Sequence, residues 1–194
     1  MRIRLVSSLT GMTLLLAGAA LAQPGGGKKG PPPPALRMTS SSFSDGSVIP
    51  DKYTQQAGPD AVSPALEWSD VPPGTQSFAL LFHDPDVAIA KKLEDVTHWI
   101  AWNIPGTATK LPEGVKPDAT GSDGMVQGKN RGGRVGYMGP GAPQTAPEHH
   151  YTFELFALDT KLDLGPDASR EDVMKAIDGH ILGKAVYEGR FHRH

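Results

Sequence analysis

Three short runs constrain this chain more than anything else in it: Ser77–His83 (SFALLFH), Thr97–Asn103 (THWIAWN) and Tyr151–Leu158 (YTFELFAL). Each is rich in aromatic and apolar residues and bounded by turn formers, the pattern of buried β-strands. In the second run, alternation puts His98, Ile100 and Trp102 on one face and Trp99 and Ala101 on the other. Both faces are apolar, so this strand is expected to be central. The 23 glycines and 18 prolines crowd the stretches between the runs and prohibit long helices there. One helix is predicted near the C-terminus. Ser169-Arg-Glu-Asp172 forms a capping box with Asp in place of Glu, and Val173, Ile177 and Ile181 follow at helical spacing. Gly183 is the expected stop, with Gly179 weakening the middle, and a short strand Ala185–Phe191 follows. The fold class is therefore mainly antiparallel β, with the late helix packed on one side or end.

The N-terminus reads as a secretory signal peptide over residues 1–22. Arg2 and Arg4 precede an apolar stretch from Met12 to Ala22, and Ala20-Leu21-Ala22 supplies the cleavage site. The stretch is too short and wrongly flanked for a permanent membrane span. No cysteine follows it, so no lipid anchor is expected there, and the mature chain is expected to be secreted or periplasmic. Residues 23–35, with their P-G-G-G-K-K-G-P-P-P-P run, cannot bury apolar surface and read as a tether. One domain is then expected over 36–191, without a second linker or repeat. Formal charge moves from −2 to −4 on removal of the signal, which argues against a nucleic-acid partner. The chain has no cysteine, so packing alone must stabilise it in an oxidising compartment.

Four segments place polar, ligand-type residues at strand ends: Ser63-Pro-Ala-Leu-Glu-Trp68, Asp84-Pro85-Asp86, His98, and Gly136–Pro143 leading to His149-His150-Tyr151. Taken singly they are ordinary. Asp-Pro-Asp is a frequent turn, a lone histidine is often a core residue bonded to backbone, and a glycine–proline stretch is often only a loop. The functional alternative for that loop is close approach of backbone N–H groups to an anion.

In this order the segments resemble the phosphatidylethanolamine-binding family, in its bacterial Raf-kinase-inhibitor-like (YbhB/YbcL) branch. The match runs through S-P-A-L-E-W at 63–68, the V-P-P-G-T run from Val71, D-P-D at 84–86 and H-W-I-A-W-N-I-P at 98–105. It continues with G-Y-M-G-P at 136–140, H-H-Y-T-F-E-L-F-A-L-D at 149–159 and D-G-H-I-L-G-K-A at 178–185. The resemblance implies a β-sandwich core with a C-terminal helix, short peripheral helices and a small pocket for phosphate-bearing or zwitterionic head groups. It makes Asp84 the pocket aspartate and His98 the pocket histidine. Gly139 and Pro140 fall on the glycine–proline loop, and His149 and Tyr151 on the adjoining H-x-Y motif. Asp86 and Pro85 shape the turn. No cofactor or metal is implied, and the chain is expected to bind rather than catalyse. A small anionic ligand is the expected partner, with a protease or kinase-like protein as a further one. Three positions depart from the pattern: Val87-Ala88, Gly141-Ala142 (where cysteine is frequent), and His150, where other branches carry arginine.

On chemistry, His98 and His149 can donate to phosphate oxygens, more strongly when protonated, and Asp84 can orient an imidazole, meet an ammonium or accept from a protonated phosphate. Two rival readings use the same residues. His83, Asp84, Asp86, His98 and His149 are metal-ligand types, but their spacing fits no helix-borne motif. Ser63 lacks a nucleophile-elbow context, which weakens a hydrolase. Ser63-Pro64 and Asp84-Pro85 are candidates for cis bonds. Trp68, Trp99 and Trp102 read mainly as core, and His192-Arg-His194 as a frayed tail.

Overall fold

The computed structural model describes residues 35–91 and 93–194. The expected signal peptide, and all of the expected tether before Ala35, lie outside the described residues. Two antiparallel sheets make up the domain. The smaller has the order β1-β2-β5, formed by β1 (Arg37–Thr39), β2 (Leu66–Ser69) and β5 (Lys110–Leu111). The larger has the order β6-β4-β3-β7-β8. Its strands are β3 (Ser77–Asp84), β4 (Val96–Pro105), β6 (Val126–Gln127), β7 (His149–Leu158) and β8 (Ile181–Phe191). The three runs read as strands are β3, β4 and β7, adjacent in the middle of this sheet. Among the described residues, no helix is long and apolar enough to cross a membrane.

Apolar residues cover both faces of the large sheet, as the doubly apolar β4 requires. On one face Phe78, Leu80 and Phe82 of β3 meet Tyr151, Phe153 and Leu155 of β7, and Met38, Leu66, Trp68 and Leu111 of the small sheet close that core. On the other face Ala79 and Leu81 join Ile100, Trp102 and Phe156 under the helix α1 (Arg170–Ile177), which contributes Val173 and Ile177. All three tryptophans are buried. Each indole N–H donates to a protein acceptor: Trp68 to Ala108 O, Trp99 to Gln127 Oε1 and Trp102 to Leu164 O.

The predicted capping box is present, with Ser169 Oγ accepting from Asp172 N–H at 3.1 Å and Ser169 N–H donating to Asp172 Oδ2 at 2.9 Å. The helix ends earlier than its spacing predicts. Gly179, at φ 82°, turns the chain after Ile177, so Ile181 and Gly183 belong to β8. A left-handed glycine two residues past the last helical turn overrides one more apolar residue in phase. The Ser63-Pro64 and Asp84-Pro85 bonds are both trans. Ser63 is buried and its hydroxyl accepts from Val115 N–H, a structural role.

The pairing of β3 with β4 slips twice. Phe78 faces Ile104 but Leu80 faces Ala101, and Phe82 faces Trp99 but His83 faces Thr97. The second slip leaves His98 as the extra residue of a β-bulge, which re-aims its side chain. His98 therefore does not share a face with Ile100 and Trp102, as plain alternation predicts. It sits on the small-sheet face, its ring 5.4 Å from Phe82 and 5.2 Å from Tyr151 between centroids.

Candidate ligand pocket

The bulge sets the first wall of a cavity at one end of the large sheet. Asp84 ends β3 on the same face as Phe78, Leu80 and Phe82. His149 begins β7 in phase with Tyr151. The three strand ends thus bring Asp84, His98, His149 and Tyr151 around one space of about 170 Å³, with Gln55, Val87, Val96, Met138, Gly141, Ala142 and Pro143 completing its lining. Phe82 packs beneath it, stacked on Phe153 at 3.8 Å and on Tyr137 at 5.5 Å. The space is smaller than the roughly 300–1,000 Å³ of sites for drug-sized ligands, so it has room only for a small group.

Each polar group is oriented from within the protein. Asp84, buried, accepts from Asp86 N–H at 3.0 Å and from His149 Nδ1 at 2.8 Å. His98 Nδ1 lies 2.9 Å from Met138 O; a carbonyl only accepts, so this nitrogen carries the proton. Both rings are held through Nδ1, and Nε2 is the atom left for a ligand. Burial pushes the His98 pKa down, opposed by the Met138 carbonyl and the Asp84 charge, so its ring is neutral at pH 7. The Tyr151 hydroxyl accepts from Gly141 N–H at 3.2 Å and from Ala142 N–H at 2.9 Å and keeps its own proton to donate. Burial, with the Asp84 charge adding, pushes this phenol up to about 12.

Of the residues singled out in the sequence, Asp84, His98, His149 and Tyr151 line the cavity. Gly139 and Pro140 stand behind its wall. A Cβ on Gly139 would lie 2.8 Å from the Thr54 backbone, so glycine here allows chain to pack on chain. The loop amides anticipated as anion donors are occupied too: those of Gly141 and Ala142 point to Tyr151. Pro85 is exposed in the turn. Asp86 lies outside the cavity and accepts from the His150 backbone N–H at 2.6 Å and its Nδ1 at 2.9 Å. Burial opposes its ionisation, yet these His150 contacts hold its carboxyl below the usual range. The five metal-ligand types have separate partners: Asp84 and His149 pair with each other in the cavity, Asp86 pairs with His150, His83 with Asp95 on the opposite sheet face, and His98 bonds to Met138 O.

One contributor has no signal in the sequence. Gln55, in a 3-10 turn after Thr54, donates its backbone N–H to Pro140 O at 2.8 Å and its side-chain Nε2–H to Gly139 O at 3.0 Å. It fastens the glycine–proline loop from 84 residues away. The C-terminal residues are not frayed: His192 Nδ1 donates to Ala146 O, and Arg193 N–H to Ala142 O at 3.0 Å.

Comparison with known proteins converges on one family. A family model for phosphatidylethanolamine-binding protein matches residues 39–192. A UPF0098 protein of Methanothermobacter thermautotrophicus is 42% identical over 158 residues, covering 81% of this chain and 99% of its own. One from Aquifex aeolicus is 41% identical over 159 residues, covering 81% and 89%. Among solved structures, Escherichia coli YbcL superposes with a TM-score of 0.70 at 30% identity, covering 83% of this chain and all (100%) of YbcL. A putative phosphatidylethanolamine-binding protein homolog from Chlamydia trachomatis gives 0.70 at 34%, covering 82% and 99%.

Proposed function

Because the chain belongs to the phosphatidylethanolamine-binding protein family, we propose that it is an exported binding protein whose cavity takes a phosphate-bearing or zwitterionic small group. The observation that carries this reading is the convergence of Asp84, His98, His149 and Tyr151 on one small cavity, each held by a protein partner. With His98 neutral the cavity offers mostly acceptors, the Asp84 carboxylate and the His98 Nε2 lone pair, with the Tyr151 O–H as donor. Such a set receives a protonated phosphate, whose hydroxyl donates to an acceptor, or an ammonium beside Asp84. A phosphate dianion binds by recruiting a proton to His98, which turns its Nε2 from acceptor to donor.

We read it as a binder rather than an enzyme. Among the residues lining the cavity, Tyr151 has the one hydroxyl, and a phenol at about 12 that accepts two amide bonds is a poor nucleophile. Export rests on the residue pattern of 1–22 and is checked by fusing that segment to a reporter active only outside the cytoplasm.

The test is calorimetric titration of inorganic phosphate and O-phosphoethanolamine. His98→Ala weakens both by about tenfold, and Asp84→Asn weakens the zwitterion more than phosphate, since it removes the ammonium's partner and loosens His149. Unchanged affinities in both variants overturn the assignment. Turnover of phosphate esters by the wild type, lost in His98→Ala, replaces binding with catalysis.

A further inference from the structure

An anion entering this cavity meets a carboxylate and a buried neutral imidazole, so the interior by itself supplies no fixed positive charge. A cation tied to the wall comes from the C-terminal end of the chain. Arg193 donates its backbone N–H to Ala142 O at 3.0 Å and its Nη2–H to Gln55 Oε1 at 2.7 Å, and Ala142 and Gln55 both line the cavity. Gln55 is fixed in turn by its bonds to Pro140 O and Gly139 O. Its side chain also packs on the loop, where a Cβ on Gly141 would lie 2.5 Å from the Gln55 amide. His194 adds a contact from the same tail, its Nε2 lying 3.3 Å from Asp51 Oδ2, and its carbonyl accepts from Gln56 Nε2–H at 3.2 Å. Arg193 is thus fastened to two residues of the cavity wall, through both its backbone and its side chain. Among the described residues, no carboxylate lies within 4.0 Å of its guanidinium, whereas Arg190 of the same strand end pairs with Glu148. Only one of its five N–H donors goes to Gln55.

We infer that Arg193, positioned by Gln55, is the anion-pairing residue of the cavity mouth and selects ligands that carry a phosphate or carboxylate at the opening. This rests on the binding reading above. The planar guanidinium offers two parallel donors to such a group, and its charge offsets Asp84, whereas His150 is already bonded to Asp86. Gln55 acts through Arg193 and the loop. It is a positioning residue.

The experiment titrates inorganic phosphate into wild type, Arg193→Gln, Arg193→Lys and Gln55→Ala at low and at about 0.3 M salt. The Arg193 Nε–H resonance is followed by NMR in wild type and Gln55→Ala. Arg193→Gln is expected to lose about fivefold in affinity, with a flatter salt dependence, and Arg193→Lys to recover part of the loss. Gln55→Ala is expected to weaken binding and to reduce the shift of the Arg193 Nε–H on adding phosphate. That shift is a readout which a purely structural tail does not produce. Wild-type binding with equal affinity and salt dependence in Arg193→Gln overturns the inference and leaves the cavity assignment standing. Failure of the wild type to bind phosphate overturns both.

Discussion

His98 concentrates the chemistry of the site in one side chain. Its folded pKa is depressed, chiefly by burial, below the ordinary imidazole value of 6.5. The unfolded chain therefore takes up this proton more readily than the folded one, so the group's contribution to stability is complete above 6.5 and is lost as pH falls through that value toward the folded pKa. Urea unfolding at pH 7.5 and 5.5 is expected to show wild type losing stability on acidification relative to His98→Gln. Phosphate binding runs the other way, because the anion rewards protonation: the rise in melting temperature on adding phosphate is expected to be larger at pH 6 than at pH 8. Gly139 is a second sensitive position. Gly139→Ala forces a methyl to within 2.8 Å of the Thr54 backbone and is expected to cost about 1–3 kcal/mol, with a loss of phosphate affinity as the loop shifts. At this scale the sequence identified four cavity side chains through their motifs. Gln55 and Arg193 were invisible because their importance comes from contacts across 84 and 138 residues, which no local pattern encodes.

Strand periodicity located β3, β4 and β7, because runs buried on both faces stand out from the glycine- and proline-rich chain around them. It failed where one residue breaks the count, at His98, and a like slip lies between Ala101 and Ile104, beyond the faces that alternation assigned. There Asn103 sits at φ 56° and exchanges two hydrogen bonds with Leu162. Only the pairing partner reveals such bulges. The helix was legible at its start, where Ser169 and Asp172 have local partners, and misread at its end, where Gly179 turned the chain early. β8 is the edge of its sheet. The backbone groups of Glu188 and Arg190 are covered by Asp45, Gly46, Ser47 and Ile49, and by the two-residue period those of Lys184 and Val186 face outward in the same way. Ile181, Leu182 and Val186 are exposed there, with Lys184, paired to Glu154, set among them. A lysine in an open edge deters pairing with another chain. Lys184→Val is expected to shift the protein toward dimers and larger species, seen by light scattering after size-exclusion chromatography.

One sheet with a core on each face should unfold as a unit, since neither the small sheet nor α1 retains a buried face without it. Tryptophan fluorescence and far-UV circular dichroism are expected to give coincident transitions, and Phe82→Ala on one face and Val173→Ala on the other to shift both probes together. Fold class was readable at this scale because burial is written in composition and period, whereas which sheet covers which face depends on β1, β2 and β5, too short to announce themselves. The site then depends on arithmetic as well as chemistry. With the surplus residue at its His98 bulge, β4 delivers an imidazole to the front of the sheet while Ile100 and Trp102 go to the back. Lengthening or shortening that strand by a single position would send the ring among the hydrocarbon under the helix and leave the interior otherwise intact. Insertions and deletions between Thr97 and Trp99, more than substitutions, are the changes that could silence this protein without unfolding it.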